Sequence, residues 1–214
     1  MGEVQAAARH QQQVEELCVA AIRALCGRRD LHFRGGRLHR GRQRLSLWAS
    51  HLHPKLDRDD FDSFRGAADG LALRLRLSDD AQHRALMSTL GPAEALRRML
   101  FDLLEQYRVE AIAGEHWPGV RRNLLHRFER WTEGFLSAGL AETERGILLF
   151  TVAQVCRARV TQQPVLDEVA DLMEATRAGV ARALGGGLSQ LRRTRFDQAA
   201  YGSAALLVAE AVAQ

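Results

Sequence analysis

Lysine is all but absent from this chain of 214 residues: Lys55 is the only one, and the other basic residues are all arginine. Genome composition alone can produce that bias, so it carries no functional weight. Cysteine is scarce too. Cys18, Cys26 and Cys156 make an odd number without CxxC spacing, which argues against a disulfide framework or a structural zinc site and fits a reducing cytosol. The N-terminus shows no basic stretch leading into an apolar one, and no apolar run approaches membrane-spanning length. A soluble, cytoplasmic protein is expected. Pro and Gly are not enriched, which argues against global disorder. Aromatic residues are few while Leu and Ala abound, which leans towards helix.

The net charge of +4 is small for this length and does not by itself call for nucleic acid. The excess is local. Seven arginines lie between Arg28 and Arg44, with His32 and His39, against the single acid Asp30. Leu31 and Phe33 alternate there with His32 and Arg34, and Gly35-Gly36 offers a turn. Residues 31–48 are therefore expected to form a small β-hairpin or an ordered basic loop, inside a basic insertion spanning 26–60. Arg34, Arg37, Arg40, Arg42 and Arg44 are its candidate partner-binding residues, for an acidic partner. The competing readings are a solvated loop and a nucleic-acid surface. For the latter, only Phe33 and Trp48 could stack on bases.

The remainder reads as helix, giving a mostly α, multi-helix bundle expected to form a single domain over 1–214. A first helix spans Val4 to Leu25, with Gly27 as its stop. Apolar periodicity then predicts helices over 61–77, 92–113 (with Pro92 in its first turn), 117–139 and 142–160. The last of these is apolar on nearly every side between Ile147 and Cys156, as suits the centre of a bundle. A further helix over 164–184 should end at Gly185-Gly186-Gly187, and the last should run from about Leu188 to Ala213.

On a helical wheel, Phe61, Phe64, Ala68, Leu71 and Leu75 face the core, and Arg65, Asp69 and Arg76 line one edge of that face. In the 92–113 helix the apolar stripe is Leu96, Met99, Leu100, Leu103, Tyr107 and Ala111. Asp102 and Glu105 fall opposite it, but Glu110 falls inside it. A carboxylate carried into a core costs several kcal/mol unless paired. Arg65, Asp69 and Glu110 are therefore the expected members of a structural polar network, with Arg65 as the cation for Glu110. His51 and His53, followed by Asp57, Asp59 and Asp60, are the sole metal-like spacing, and a solvated turn is the stronger reading. No residue pattern supports a catalytic assignment, and no GxxxxGK[ST] loop is present to bind ATP.

The stretch from Phe64 to Asn123 carries RGAADGLALRL, then His83-Arg84, then LFDLLEQYRVEAI, then PGVRRNL. This combination of glycine, charge and apolar positions resembles the N-terminal region of the CobT family, a subunit of the ATP-dependent cobaltochelatase of aerobic cobalamin biosynthesis. The later helices, TRFDQAAYGSAALLVAEAV among them, resemble it more loosely. Where that family shows a His-Asp step this chain has Ser78-Asp79, so the resemblance supplies no metal ligand there. The resemblance implies two partners: an AAA+ ATPase subunit (CobS-like) and a large chelating subunit (CobN-like). Cobalt(II) and ATP-Mg would be used by the complex, with no cofactor held by this region. It also implies an acidic linker and a von Willebrand A-type domain in full-length members, and the DxSxS motif of that domain does not occur in these residues. The function expected is that of a non-catalytic adaptor coupling the ATPase to the chelating subunit, with ring assemblies leaving homo-oligomerisation open. The alternatives are a stand-alone helical interaction module and a helical nucleic-acid binder using the Arg28–Arg44 cluster.

Overall fold

A computed structural model describes residues 2–91, 93–113 and 116–214. The protein is mostly α-helical with one small antiparallel sheet. Its elements in chain order are α1 (Gly2–Cys26), β1 (Leu31–Arg34), β2 (Arg37–Arg40), β3 (Gln43–Arg44), α2 (Phe61–Leu77), α3 (Asp80–Met87), α4 (Ala95–Ala113), α5 (Pro118–Ser137), α6 (Glu144–Thr161), α7 (Ala170–Thr194) and α8 (Gln198–Ala213). They form two compact units. The first holds Met1–Leu77 with Pro118–Trp131, the second Ser78–Trp117 with Thr132–Gln214.

In the first unit α1 and α2 pack together around Val14, Cys18, Val19, Ile22, Ala68, Ala72 and Leu75. Gly27 ends α1 with φ +73, its N–H returning to the Arg23 carbonyl at 2.9 Å. The expected hairpin forms. Gly35 and Gly36 both have positive φ, the backbone of the tight turn that best matches strand twist, and they set Arg34 opposite Arg37 and Leu31 opposite Arg40. A two-stranded ribbon is marginal in water by itself. Leu31 and Leu38 secure this one by joining the α1–α2 core, where each apolar side chain removed from water contributes about 1.5–3 kcal/mol. Arg23 Nε also donates to the Leu31 carbonyl at 2.8 Å. Phe61 departs from its expected core position and stands 46% exposed, because burial on α2 begins only at Ser63.

In the second unit α4 and α6 pack on each other, α8 covers α4 and α7, and α7 lies along α6. The burial expected of α6 is found from Phe150 to Arg157, and α4 matches it from Leu103 to Glu110. Two boundaries differ from the sequence reading. Helix α7 does not stop at Gly185-Gly186-Gly187 but continues to Thr194. Each helical glycine costs about 1 kcal/mol relative to alanine. Leu184, Leu188 and Leu191 are all buried along one stripe, and their burial outweighs that cost. Gly187 also lets the helices close up, since a Cβ there would sit 2.6 Å from Val208 Cγ2. The last helix accordingly begins at Gln198, where Asp197 caps the Ala200 N–H at 3.1 Å. The short α3 was not anticipated. Asp79 is its N-cap, accepting from the Ala81 and Gln82 N–H groups at 2.8 and 3.0 Å. Pro92, expected to open α4, lies outside the described residues; α4 is helical from Ala95.

Burial raises the Cys18 thiol to about 11 and the Cys156 thiol to about 12. The thiolate is the reactive form, so both should resist a disulfide reagent at neutral pH in the native protein. Titration with such a reagent is expected to label at most Cys26 rapidly and to reach the other two only on unfolding. Rapid native labelling of Cys156 would contradict this packing.

Candidate functional site

The side chains of the Phe64–Asn123 stretch build two buried polar clusters, one in each unit. In the first, Asp69 of α2 is fully buried. Arg65, one turn earlier, donates Nε–H to its Oδ1 at 2.9 Å, and Asn123 of α5 donates to Oδ2 at 2.8 Å. Gly66 makes this approach feasible. A Cβ on it would fall 2.2 Å from the Asn123 carbonyl oxygen and 2.7 Å from Arg127 Cβ, so only glycine lets α2 and α5 come this close. The R-G-A-A-D spacing thus places a cation, a contact point and an anion on adjoining positions of one helix.

Next to it lies a second arginine knot. Arg127 of α5 is buried, donating to the His51 carbonyl at 2.6 Å, to Asp59 at 2.5 Å and to the Ser63 hydroxyl. Asp59 also accepts the Lys55 N–H at 2.7 Å. The solvated turn expected at His51–Asp60 is therefore replaced in part by interior structure. His51 is fully buried with its ring edge-on to Phe128, because the chain needs its carbonyl inside to receive Arg127. His126 of α5 is half-buried and meets Asp60 at 2.9 Å. Burial lowers His53, as does its neighbour His51.

Burial pushes the Asp59 carboxyl up, but the Lys55 N–H, Arg127 and Ser63 more than offset this, so it lies below its ordinary range. A carboxyl depressed on folding contributes stability that is complete above about pH 4, its unfolded range, and is lost as pH falls through the folded value. Asp59→Asn is expected to flatten the acid limb of the stability–pH curve, read by denaturant melts stepped downward from neutral pH. An unchanged acid limb would contradict the role given to Asp59.

In the second unit Glu105 and Arg108 of α4 form a bidentate pair, with both contacts at 2.8 Å and each side chain only 3% exposed. Ser78 donates its hydroxyl to Glu105, while Arg108 reaches the Arg195 carbonyl at 3.2 Å and Gln198 Oε1 at 3.3 Å. Gln198 in turn clasps Asp79, accepting its N–H at 2.7 Å and donating to its carbonyl at 2.9 Å. The wheel placed Glu105 on the outer side of α4; α8 covers that side, and an arginine three residues on supplies the charge that makes burial tolerable. Gln106 donates to Glu110 at 2.9 Å, and Tyr107, fully buried, has its hydroxyl held well above its usual range by burial and then by the Glu110 charge. His83 of α3 stacks on Phe101 and meets Asp102 at 2.8 Å.

Of the expected network, Arg65 and Asp69 are joined in the first unit, and Glu110 lies in the second with Gln106. Helix α2 packs on α1, and α4 on α6 and α8. Arg76 reaches back to the Leu25 carbonyl at 2.6 Å, satisfying the C-terminal end of α1. Sequence reasoning missed Arg108, Asn123 and Arg127, although a spacing of three between Glu105 and Arg108 is a signal for an intrahelical pair. Arg34, Arg37, Arg40, Arg42 and Arg44 are all exposed on the sheet. Among the described residues no group of three or more His, Cys, Asp or Glu side chains gathers where a metal could be held, and no helix is long and apolar enough to cross a membrane.

These clusters join helices; they spend their carboxylates on arginines of the same unit. A family model described as "Cobalamin biosynthesis protein CobT" matches residues 9–211 of the chain. No solved structure matches it.

Proposed function

The chain belongs to the CobT family and so to cobalamin biosynthesis, and from that premise we propose that it is a non-catalytic adaptor of an ATP-dependent cobaltochelatase. In this role it couples an AAA+ ATPase subunit to the large subunit that inserts cobalt(II), the metal substrate, into a corrin ring. The observation that carries the reading is the family match, which spans nearly the whole chain and therefore both units.

Two features support it. The sequence holds no phosphate-binding GxxxxGK[ST] loop, so ATP-Mg belongs to the partner. The residues that carry the family resemblance are spent on internal ion pairs: Arg65 with Asp69, and Arg108 with Glu105. Each pair lies within one helix, and its members are also bonded to a neighbouring one, Asp69 by Asn123 of α5 and Arg108 to Gln198 of α8, which ties the helices together and suits a part that passes on a partner's movement. The same pairs leave those carboxylates ill suited to proton transfer.

The test is reconstitution. Affinity-tagged chain is expected to recover the ATPase subunit, with recovery that changes when ATP is supplied. Cobalt insertion should require this chain together with both partners. Recovery of neither partner, with or without ATP, would overturn the adaptor role and favour a stand-alone interaction module.

A further inference from the structure

The β1–β2–β3 sheet displays a set of positive charges that the fold leaves unanswered. Alternation and register sort its side chains. Leu31, Phe33 and Leu38 belong to the side packed on the α1–α2 core. His32, Arg34, Arg37, His39 and Arg44 share the opposite side. Arg34 lies directly across from Arg37, and His39 is paired with His32 on one flank and Arg44 on the other. The His32 and His39 rings stack with centroids 5.6 Å apart. Arg42 in the β2–β3 turn is exposed as well, and Arg40, paired with Leu31, is exposed at the strand end on the other side.

Like charges placed directly across a strand pair work against the sheet. Some arginines elsewhere hold carboxylates, Arg65, Arg84, Arg97, Arg108 and Arg127 among them. Among the described residues none of Arg34, Arg37, Arg40, Arg42 and Arg44 has an ion-pair partner. Arg34, Arg37 and Arg44 thus stand together, exposed, on one face of a well-anchored sheet.

We propose that this face docks an acidic, Asp/Glu-rich segment of polypeptide. The guanidinium fork matches a carboxylate bidentately. Arg34 and Arg37, directly across from each other, and Arg44 across from His39 gather three such forks on one face. A nucleic acid is less well served. Phe33 packs on the core, Trp48 sits against His53, and the two histidine rings stack on each other, so bases lack a free aromatic platform.

The test uses the full chain and labelled oligoglutamate, followed by fluorescence anisotropy. Binding is expected to weaken steeply as salt rises. The triple change R34E/R37E/R44E should lower affinity by about tenfold or more, the sum of three exposed charge pairs, while circular dichroism and the melting temperature stay as in the unchanged protein. The milder R34Q/R37Q/R44Q should fall between the two, which guards against a folding defect in the charge reversal. Oligoglutamate bound no better than a neutral peptide of the same length, or equally by the triple variant, would overturn the proposal. So would tighter binding of a single-stranded oligonucleotide, which would assign the face to nucleic acid. The probe is a free peptide, so a failed recovery of the ATPase subunit leaves this outcome unaffected.

Discussion

Arg108→Ala is expected to destabilise the second unit by about 3–5 kcal/mol, the usual cost of stranding one member of a buried ion pair. Arg108 makes a bidentate contact to Glu105, and both side chains are almost wholly out of water. Removing it takes the bidentate cation away from an interior carboxylate, and it removes one donor from the Arg195 carbonyl and one from Gln198 Oε1, which keeps the Asp79 N–H. The paired change Glu105→Met with Arg108→Met removes both charges and fills the space with apolar atoms. Buried pairs replaced in this way are often neutral, because the desolvation cost of two ions disappears with their attraction. The double variant should therefore recover more than half of the loss, short of all of it because the hydrogen bonds from Arg108 to the Arg195 carbonyl and to Gln198 Oε1 are still missing, at about 1 kcal/mol each. Urea denaturation of the single and double variants measures both effects. Equal destabilisation of the two would mean that the stranded charge is not what the single change costs.

Gly66→Ala should rank beside it. The added methyl would meet the Asn123 carbonyl oxygen at 2.2 Å, and a backbone atom cannot rotate away. The helices α2 and α5 must separate, which loosens the Asn123–Asp69 bond as well as the packing. A loss of about 3 kcal/mol is expected, the upper part of the overpacking range. Gly186→Ala makes the contrast. Gly186 also lies inside a helix, but a methyl there meets nothing within 4 Å, so the change should stabilise by about 0.5–1 kcal/mol through the unfolded state. Thermal melts of the pair decide the matter. Equal and small effects would show that the close approach at Gly66 is not a constraint.

Much of this molecule could be read before any coordinates. The 61–77 helix has the bounds expected from apolar periodicity, and the Gly35-Gly36 turn marks the hairpin where alternation had placed it. Both are local properties: a helical stripe and a two-glycine turn are set by neighbours within a few residues. The family resemblance was legible for a related reason. Its motif residues are spaced for contacts along one helix, such as Arg65 with Asp69.

Other features needed partners far away in the chain. Glu105 reads as an outer residue until α8 is laid over it, some ninety residues later. Arg127 reads as one charge among many on α5 until His51, Asp59 and Ser63 close around it. Gly185-Gly186-Gly187 reads as a helix stop because propensity is local, whereas the leucine stripe that overrides it is buried by another helix. The sequence by itself determined the helical character, the basic hairpin and the family. Which charges are interior, which glycines are contacts rather than breaks, and where α7 ends were decided only by tertiary packing, because the free energy of burying a charge or a methylene depends on what covers it.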